Sequence, residues 1–173
     1  MQDILTKAAA IRLVIFDVDG VLTDGRLFFD DEGREYKSFH ARDGFGMKAL
    51  QQAGVTVAII SGRKSEAVEV RMRSLGIHHV FQGQEDKLEA FGILCRDLQL
   101  RTDQIAHVGD DVPDLPLMRR VGLAIAVADA HASVLAHADW RTSSPGGAGA
   151  AREVCDLILE AQGHQTRILA AYA

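Results

Sequence analysis

Asp17 and Asp19 stand two residues apart in the run Asp17-Val18-Asp19-Gly20-Val21-Leu22-Thr23-Asp24-Gly25, and Asp110, Asp111 and Asp114 crowd into Gly109-Asp110-Asp111-Val112-Pro113-Asp114. Clustered carboxylates repel one another and are costly to keep ionised together, so they usually hold a hard cation. Oxygen ligands without Cys or His favour magnesium. A carboxylate held on a cation can attack phosphorus, while a hydroxyl and an ammonium nearby neutralise the phosphoryl oxygens in the transition state. Ser61, in Ser61-Gly62-Arg63, and Lys87, in Gly83-Gln84-Glu85-Asp86-Lys87, supply those two groups. Each residue alone has a plainer reading, since Asp17, Ser61, Asp110 or Asp114 could simply cap a helix. Lys87 is harder to explain away, because the positive end of a helix dipole disfavours a cation.

These residues need a frame that brings them to one place. Short runs rich in Val and Ile (11–16, 55–60, 105–108, 123–127) alternate with helical patterns at 45–53, 65–75, 87–98 and 114–119. Residues 79–82 form a weaker strand and 139–141 a sixth candidate, and the pattern predicts a Rossmann-like doubly wound parallel sheet of α/β class. In such a sheet ligands collect outside the carboxyl ends of the strands, where Asp17, Ser61, Lys87 and Asp110 all fall. One segment breaks the alternation. Residues 27–29 and 36–39 flank the polar turn Asp30-Asp31-Glu32-Gly33, which predicts a small β-hairpin projecting from the sheet over about 26–40. The stretch 143–149 reads as a flexible Gly-rich loop by composition, followed by a final helix at 150–161 and a C-terminal tail to residue 173.

The 173 residues suit a single compact domain over 1–173, with no second full domain expected. A net charge of −5 gives no general attraction for nucleic acid or an anionic membrane, which points to a small-molecule partner. No apolar run is long enough to span a bilayer, and residues 1–10 lack the basic start and apolar core of a secretory signal, so the expected location is cytoplasmic. Cys95 and Cys155 lack the spacing of a zinc or redox motif. Of the seven histidines, His78, His79, His107, His131 and His137 show no metal-like grouping and read as structural. No Walker loop or nucleophile elbow is present, and Gly44-Phe45-Gly46 does not continue into a dinucleotide-binding pattern.

The four motifs DVDGVLTDG (17–25), SGR (61–63), GQEDK (83–87) and GDDVPD (109–114), in this order, resemble those of the haloacid dehalogenase-like phosphatases. The hairpin, FHARDGFGMK (39–48) and PGGAGAAREVCDLIL (145–159) resemble the minimal-cap branch that hydrolyses the phosphate ester of an eight-carbon keto-sugar acid, a precursor of lipopolysaccharide. The resemblance implies that Asp17 is the nucleophile, forming an aspartyl-phosphate. It also implies that Asp19 protonates the leaving oxygen and later activates water. It places Mg2+ on the Asp17 carboxylate, the Asp19 main-chain carbonyl and Asp110, with Asp111 and Asp114 in support, and gives Ser61 and Lys87 to the phosphoryl group. His40, Ala41, Arg42, Asp43, Gly44, Lys48, Arg63 and Arg71, with Asp19 and Lys87, are the implied substrate-binding residues for a phosphorylated sugar acid; arginine suits planar carboxylates. Also implied are the lack of a cap domain and a homotetramer in which hairpins associate and the C-terminal tail reaches a neighbouring site.

Three other readings remain open at this level. One is a phosphatase for a related keto-sugar acid, such as a nine-carbon 9-phosphate, since pocket residues do not fix chain length. A phospho-Asp signalling module would share the sheet, the acidic cluster, Ser and Lys, but it carries its acceptor after the third strand, whereas the DxD motif here follows the first. A non-catalytic binding module is disfavoured because every implied catalytic side chain is present.

Overall fold

The computed structural model describes residues 2–170. In chain order the elements are α1 (Gln2–Ala10), β1 (Leu13–Phe16), β2 (Phe28–Phe29), β3 (Glu35–Tyr36), α2 (Ala41–Gln52), β4 (Thr56–Ser61), α3 (Glu66–Ser74), β5 (His79–Gln82) and α4 (Lys87–Asp97). They continue with β6 (Ile105–Gly109), α5 (Leu115–Met118), β7 (Leu123–Ala126), α6 (Ala132–Leu135), β8 (Trp140–Arg141), α7 (Ala150–Ala161) and α8 (Gln165–Ala170). Six strands form one sheet in the order β5-β4-β1-β6-β7-β8, and every pairing in it is parallel. The expected α/β doubly wound sheet is therefore present. Chain direction across the sheet reverses beside β1: successive strands run outward through β4 and β5, then return to β6 on its other side. A crevice at the carboxyl end opens at such a switch point.

Side chains alternate across a strand, so β1 feeds two cores. Val14 and Phe16 pack with Met47 and Leu50 of α2 and Val154 and Ile158 of α7. Leu13 and Ile15 face Ala90, Phe91 and Leu94 of α4 and Leu117 of α5. All four β1 residues are fully buried, each contributing roughly 1.5–3 kcal/mol from burial. This central strand is the rigid mount for the residue that follows it, Asp17.

Three local features depart from the expected pattern. Helix α2 starts at Ala41, four residues earlier than its apolar periodicity suggests, even though Gly44 and Gly46 lower its intrinsic propensity. Gly46 permits close approach to α7: a Cβ there would lie 3.0 Å from Cys155 Cβ. In the hairpin, Phe28 pairs with Tyr36 and Phe29 with Glu35, so its second strand is 35–36 rather than 36–39. The Asp30 carboxylate sets that register by accepting from Glu32 N at 3.0 Å and Arg34 N at 2.9 Å, and Gly33 takes φ +77°. The short helices α6 and α8 lie outside the elements read from periodicity.

The Gly-rich segment, assigned as flexible from composition, has defined partners. Glu153 accepts from Ser143 N at 2.7 Å and Ser144 N at 2.8 Å, and Gly147 N donates to the Val21 carbonyl at 2.9 Å. Helix α7 presents Ala150, Ala151, Val154, Cys155, Ile158 and Leu159 as one buried stripe, so this part of the tail packs within its own chain. Residues 171–173 lie outside the described residues.

Candidate active site

The carboxyl edge of the sheet gathers the chemical residues around a cavity of about 420 Å³ lined by Asp17, Asp19, Ser61, Gly62, Arg63, Gln84, Glu85, Lys87, Asp110, Asp111, Pro113 and Asp114. Asp17 N donates to the Val108 carbonyl at 3.1 Å, tying the end of β1 to β6. Ser61 is the last residue of β4 and buried; α3 starts five residues later, so Ser61 is not its cap. Asp86 caps α4 by accepting from Leu88 N at 2.9 Å. That cap fixes the first turn and directs Lys87 inward, where it is buried.

Lys87 Nζ lies 2.9 Å from Asp17 Oδ1 and 2.7 Å from Asp114 Oδ1. Although burial opposes the charge, Asp17 and Asp114 hold the ammonium above its ordinary pKa. Asp114 stands at the N-cap position of α5 without a side-chain bond into that helix, and its carboxylate instead organises the acidic loop. Its Oδ2 accepts from Asp110 N at 3.0 Å and from Asp111 N at 3.3 Å, and its Oδ1 also meets His107 Nε2 at 2.9 Å. Despite burial, the bonds from His107 and Lys87 hold its carboxyl well below the usual range.

Oxygens of Asp17, Asp110 and Asp114 lie within 4.8 Å of one another. Burial raises the Asp17 pKa in spite of Lys87. Asp110 is pushed up to about 8, first by burial and then by the negative charges of Asp17 and Asp114. Its Oδ1 is buried without a hydrogen-bond partner. Gly20, at φ +94°, packs against the same carboxylate, where a Cβ would come within 2.0 Å of Asp110 Oδ2. An unsatisfied carboxylate oxygen among further carboxylates, with only hydrogen on the adjoining glycine, fits a hard divalent cation such as Mg2+.

The hairpin supplies groups that the sequence reading missed. Lys37, its side chain 2 % exposed, ion-pairs with Asp19 and reaches Glu35 Oε1 at 3.3 Å. Arg63 Nη2 lies 2.8 Å from Glu35 Oε1 and Arg63 Nε 3.8 Å from Asp19 Oδ2. Although burial opposes it, hydrogen bonds from Arg63 and Lys37 hold the Glu35 carboxyl below its usual range. The Glu35-x-Lys37 spacing, which puts both on one face of an extended chain, was the available signal. Their partners are distant in sequence. His107, read as structural, acts here by supporting Asp114.

The remaining candidates form a second group around the start of α2, outside the cleft lining. His40 occupies the N-cap position, and its Nδ1 is buried without a partner. Ala41 and Arg42 line a separate cavity of about 450 Å³ with Phe45, Arg152, Leu159 and Ile168. Asp43 is buried and accepts from Arg152 N at 2.9 Å, capping α7 from another helix; burial raises its pKa. Arg71 covers Gly44, its Nη2 2.4 Å from where a Cβ would be. Lys48 is exposed on α2.

A parallel sheet carrying a DxD loop, a serine, a lysine and a late acidic loop at one edge defines a phosphoryl-transferring hydrolase of the haloacid dehalogenase-like class. Residues 76–154 match the family model of haloacid dehalogenase-like hydrolases. The chain is 50% identical over 161 residues to the 3-deoxy-D-manno-octulosonate 8-phosphate phosphatase of Escherichia coli K12, covering 93% of this chain and 86% of that protein. The Yersinia pestis enzyme of the same name superposes with a TM-score of 0.94 at 48% identity, covering 95% of this chain and 89% of that one. The Moraxella catarrhalis enzyme of that name, solved with magnesium, phosphate and KDO, gives 0.98 at 43% identity, covering 100% and 99%. The chain belongs to the 3-deoxy-D-manno-octulosonate 8-phosphate phosphatase family of the haloacid dehalogenase-like hydrolases.

Proposed function

We propose that this protein is a magnesium-dependent phosphatase that releases inorganic phosphate from 3-deoxy-D-manno-octulosonate 8-phosphate, in lipopolysaccharide precursor synthesis. The observation that carries the reading is the Asp17–Lys87–Asp114 cluster beside the unsatisfied Asp110 oxygen, in a chain closely similar to relatives of that name.

A carboxylate oxygen of Asp17 attacks phosphorus as the bond to the sugar oxygen breaks. Asp19 gives its proton to the departing oxygen, and the phosphoryl group stays on Asp17 as an acyl phosphate. Water then attacks that phosphorus, Asp19 takes its proton, and phosphate leaves with Asp17 restored. Ser61 and Lys87 hold the phosphoryl oxygens. Asp17, the Asp19 main-chain carbonyl and Asp110 would hold Mg2+, with Asp111 and Asp114 in support, and the ion would supply positive charge at the phosphoryl group.

For the sugar acid, Arg63, which lines the cleft beside Asp19, would supply a cation apart from Lys87. His40, Ala41, Arg42, Asp43, Gly44, Lys48 and Arg71 lie outside the cleft lining of their own chain, which favours their serving a site shared with another copy. Leu27, Phe28, Phe29 and Tyr36 on the hairpin are 47–57% exposed, an apolar surface suited to burial between copies. We therefore assign a homotetramer, joined through hairpins and with the C-terminal tail at a neighbour's site, built from a single domain over 1–173 and working in the cytoplasm. Among the described residues no helix is long and apolar enough to cross a membrane.

The test is phosphate release from the eight-carbon 8-phosphate beside a panel including a nine-carbon 9-phosphate, with Mg2+ or chelator and with Asp17→Asn as blank. Selective, metal-dependent turnover of the eight-carbon ester is expected. Preference for the nine-carbon ester would replace the substrate and keep the chemistry; release undiminished by Asp17→Asn would refute the mechanism.

A further inference from the structure

Three pieces of backbone and side chain are stacked behind the cleft with glycine at each contact. Gly146 faces the Gly20 carbonyl so closely that a Cβ would stand 1.7 Å from its oxygen and 3.0 Å from the Thr23 carbonyl oxygen. Gly20 in turn faces Asp110, where a Cβ would come within 2.0 Å of Oδ2. Gly147 N holds the Val21 carbonyl at 2.9 Å, and Gly146 N is tethered to Asp129 Oδ1 at 2.9 Å. The turn cannot readily retreat. Besides the two bonds to Glu153, Thr142 Oγ1 donates to the Ser144 carbonyl at 2.7 Å, and Asp43 caps the helix that follows.

We propose that residues 145–147 are a backbone clasp that fixes Gly20 against the Asp110 carboxylate, making Gly146 a positioning residue that sets how tightly the cluster takes a divalent cation. The inference rests on the reading of Asp17, Asp19 and Asp110 as a magnesium site. Any side chain at Gly146 must displace the Gly20 carbonyl, and Gly20 itself abuts the Asp110 carboxylate, so the shift is passed to the cluster. A compositional linker would tolerate alanine there; a clasp does not.

The test is a calorimetric Mg2+ titration, with phosphate-release kinetics, on wild type, Gly146→Ala, Gly149→Ala and Asp129→Ala. Gly149 is the control within the same turn. At φ +111°, alanine strains the backbone there, yet its Cβ would meet nothing nearer than Ser144 Oγ at 3.8 Å. Gly146→Ala should weaken Mg2+ binding by about tenfold or more and lower kcat, with KM for the sugar phosphate within about twofold, the scale on which lost supporting contacts affect metal sites. Gly149→Ala should lower the melting temperature and keep the Mg2+ Kd within about twofold. Asp129→Ala should shift the Kd in the same direction as Gly146→Ala by a smaller factor, and it carries the test if Gly146→Ala does not fold. Unchanged Mg2+ affinity in Gly146→Ala, or in Asp129→Ala where that variant carries the test, overturns the clasp. So does equal loss in Gly146→Ala and Gly149→Ala, which would mark general packing. A wild type that binds no Mg2+ removes the metal reading itself, and the clasp with it.

Discussion

Replacing Lys87 by methionine keeps the length of the buried side chain and removes its charge. In the structure that charge stands 2.9 Å from Asp17 and 2.7 Å from Asp114. At an effective dielectric of about 20, each contact carries roughly 6 kcal/mol of gross attraction. Removing the cost of burying the ammonium reduces the net effect, and breaking a buried pair from one side typically costs about 3–5 kcal/mol. The loss should depend on pH in a definite direction. Without Lys87, the folded-state pKa values of Asp17 and Asp114 move up. Groups with raised folded pKa values favour folding where they are protonated and lose that contribution as pH rises through the raised values.

Urea unfolding in chelator, near pH 8.5 and near pH 5, is the assay. Lys87→Met should cost at least about 3 kcal/mol at the higher pH and distinctly less at the lower, where protons replace the ammonium. Adding Asp17→Asn to Lys87→Met should recover part of the loss, because one unpaired carboxylate is gone. A penalty under about 1 kcal/mol near pH 8.5, or one independent of pH, would refute the claim that Lys87 neutralises the cluster.

Four further outcomes follow from the same geometry. Asp17→Asn should fold with its melting temperature close to wild type and lose turnover by at least about 10³-fold in phosphate release, the outcome expected if Asp17 is the nucleophile as proposed. Asp110, displaced from its ordinary 3.8 to about 8, should make the metal-free protein less stable as pH rises between those values. Thermal melts in chelator should show that slope, and Mg2+ should flatten it. Arg63→Ala should raise KM for the sugar-acid phosphate by about 5–50-fold while changing kcat less, as steady-state kinetics would show; the reverse pattern would count against a binding role. Phe28→Lys with Phe29→Lys should shift the particle to a smaller mass by light scattering, whereas an unchanged mass would place the assembly contact elsewhere.

The sheet was legible because β1, β4, β6 and β7 are largely apolar runs buried along nearly all their length, and β1, β4 and β6 each end in or run into a polar residue of the site. Asp17, Ser61 and Asp110 were therefore legible at one edge from the sequence alone, and Lys87 joined them through the weaker strand at 79–82. The start of α2 was obscured because Gly44 and Gly46 look like helix breakers until their neighbours, Arg71 and Cys155, are known. Lys37 was obscured for a related reason: its meaning depends on Asp19 and Arg63, which only the folded hairpin brings to it. The Gly-rich turn shows the limit of composition. Its glycines permit close backbone packing, and nothing local distinguishes that from flexibility.

Charge balance links these parts. In the cleft, three mutually close carboxylates face one lysine, an excess of two negative charges when all are ionised. Without a cation, burial and the charges of Asp17 and Asp114 favour the protonated form of Asp110, which removes one of the two. A divalent ion would cancel the excess and release that proton, leaving Asp17 free to act as nucleophile toward an anionic phosphate. Around Asp19 the hairpin solves a separate problem. Lys37 and Arg63 face Asp19 and Glu35, so this second group is balanced without a metal while Asp19 is ionised, and it carries one excess positive charge when Asp19 holds the proton it is proposed to give. If Arg63 binds the sugar-acid carboxylate as proposed, that carboxylate must compete with Glu35 for it. Glu35→Gln should accordingly tighten binding of a carboxylate-bearing phosphate ester relative to one lacking the carboxylate, and equal effects on both KM values would show that Arg63 does not read that group.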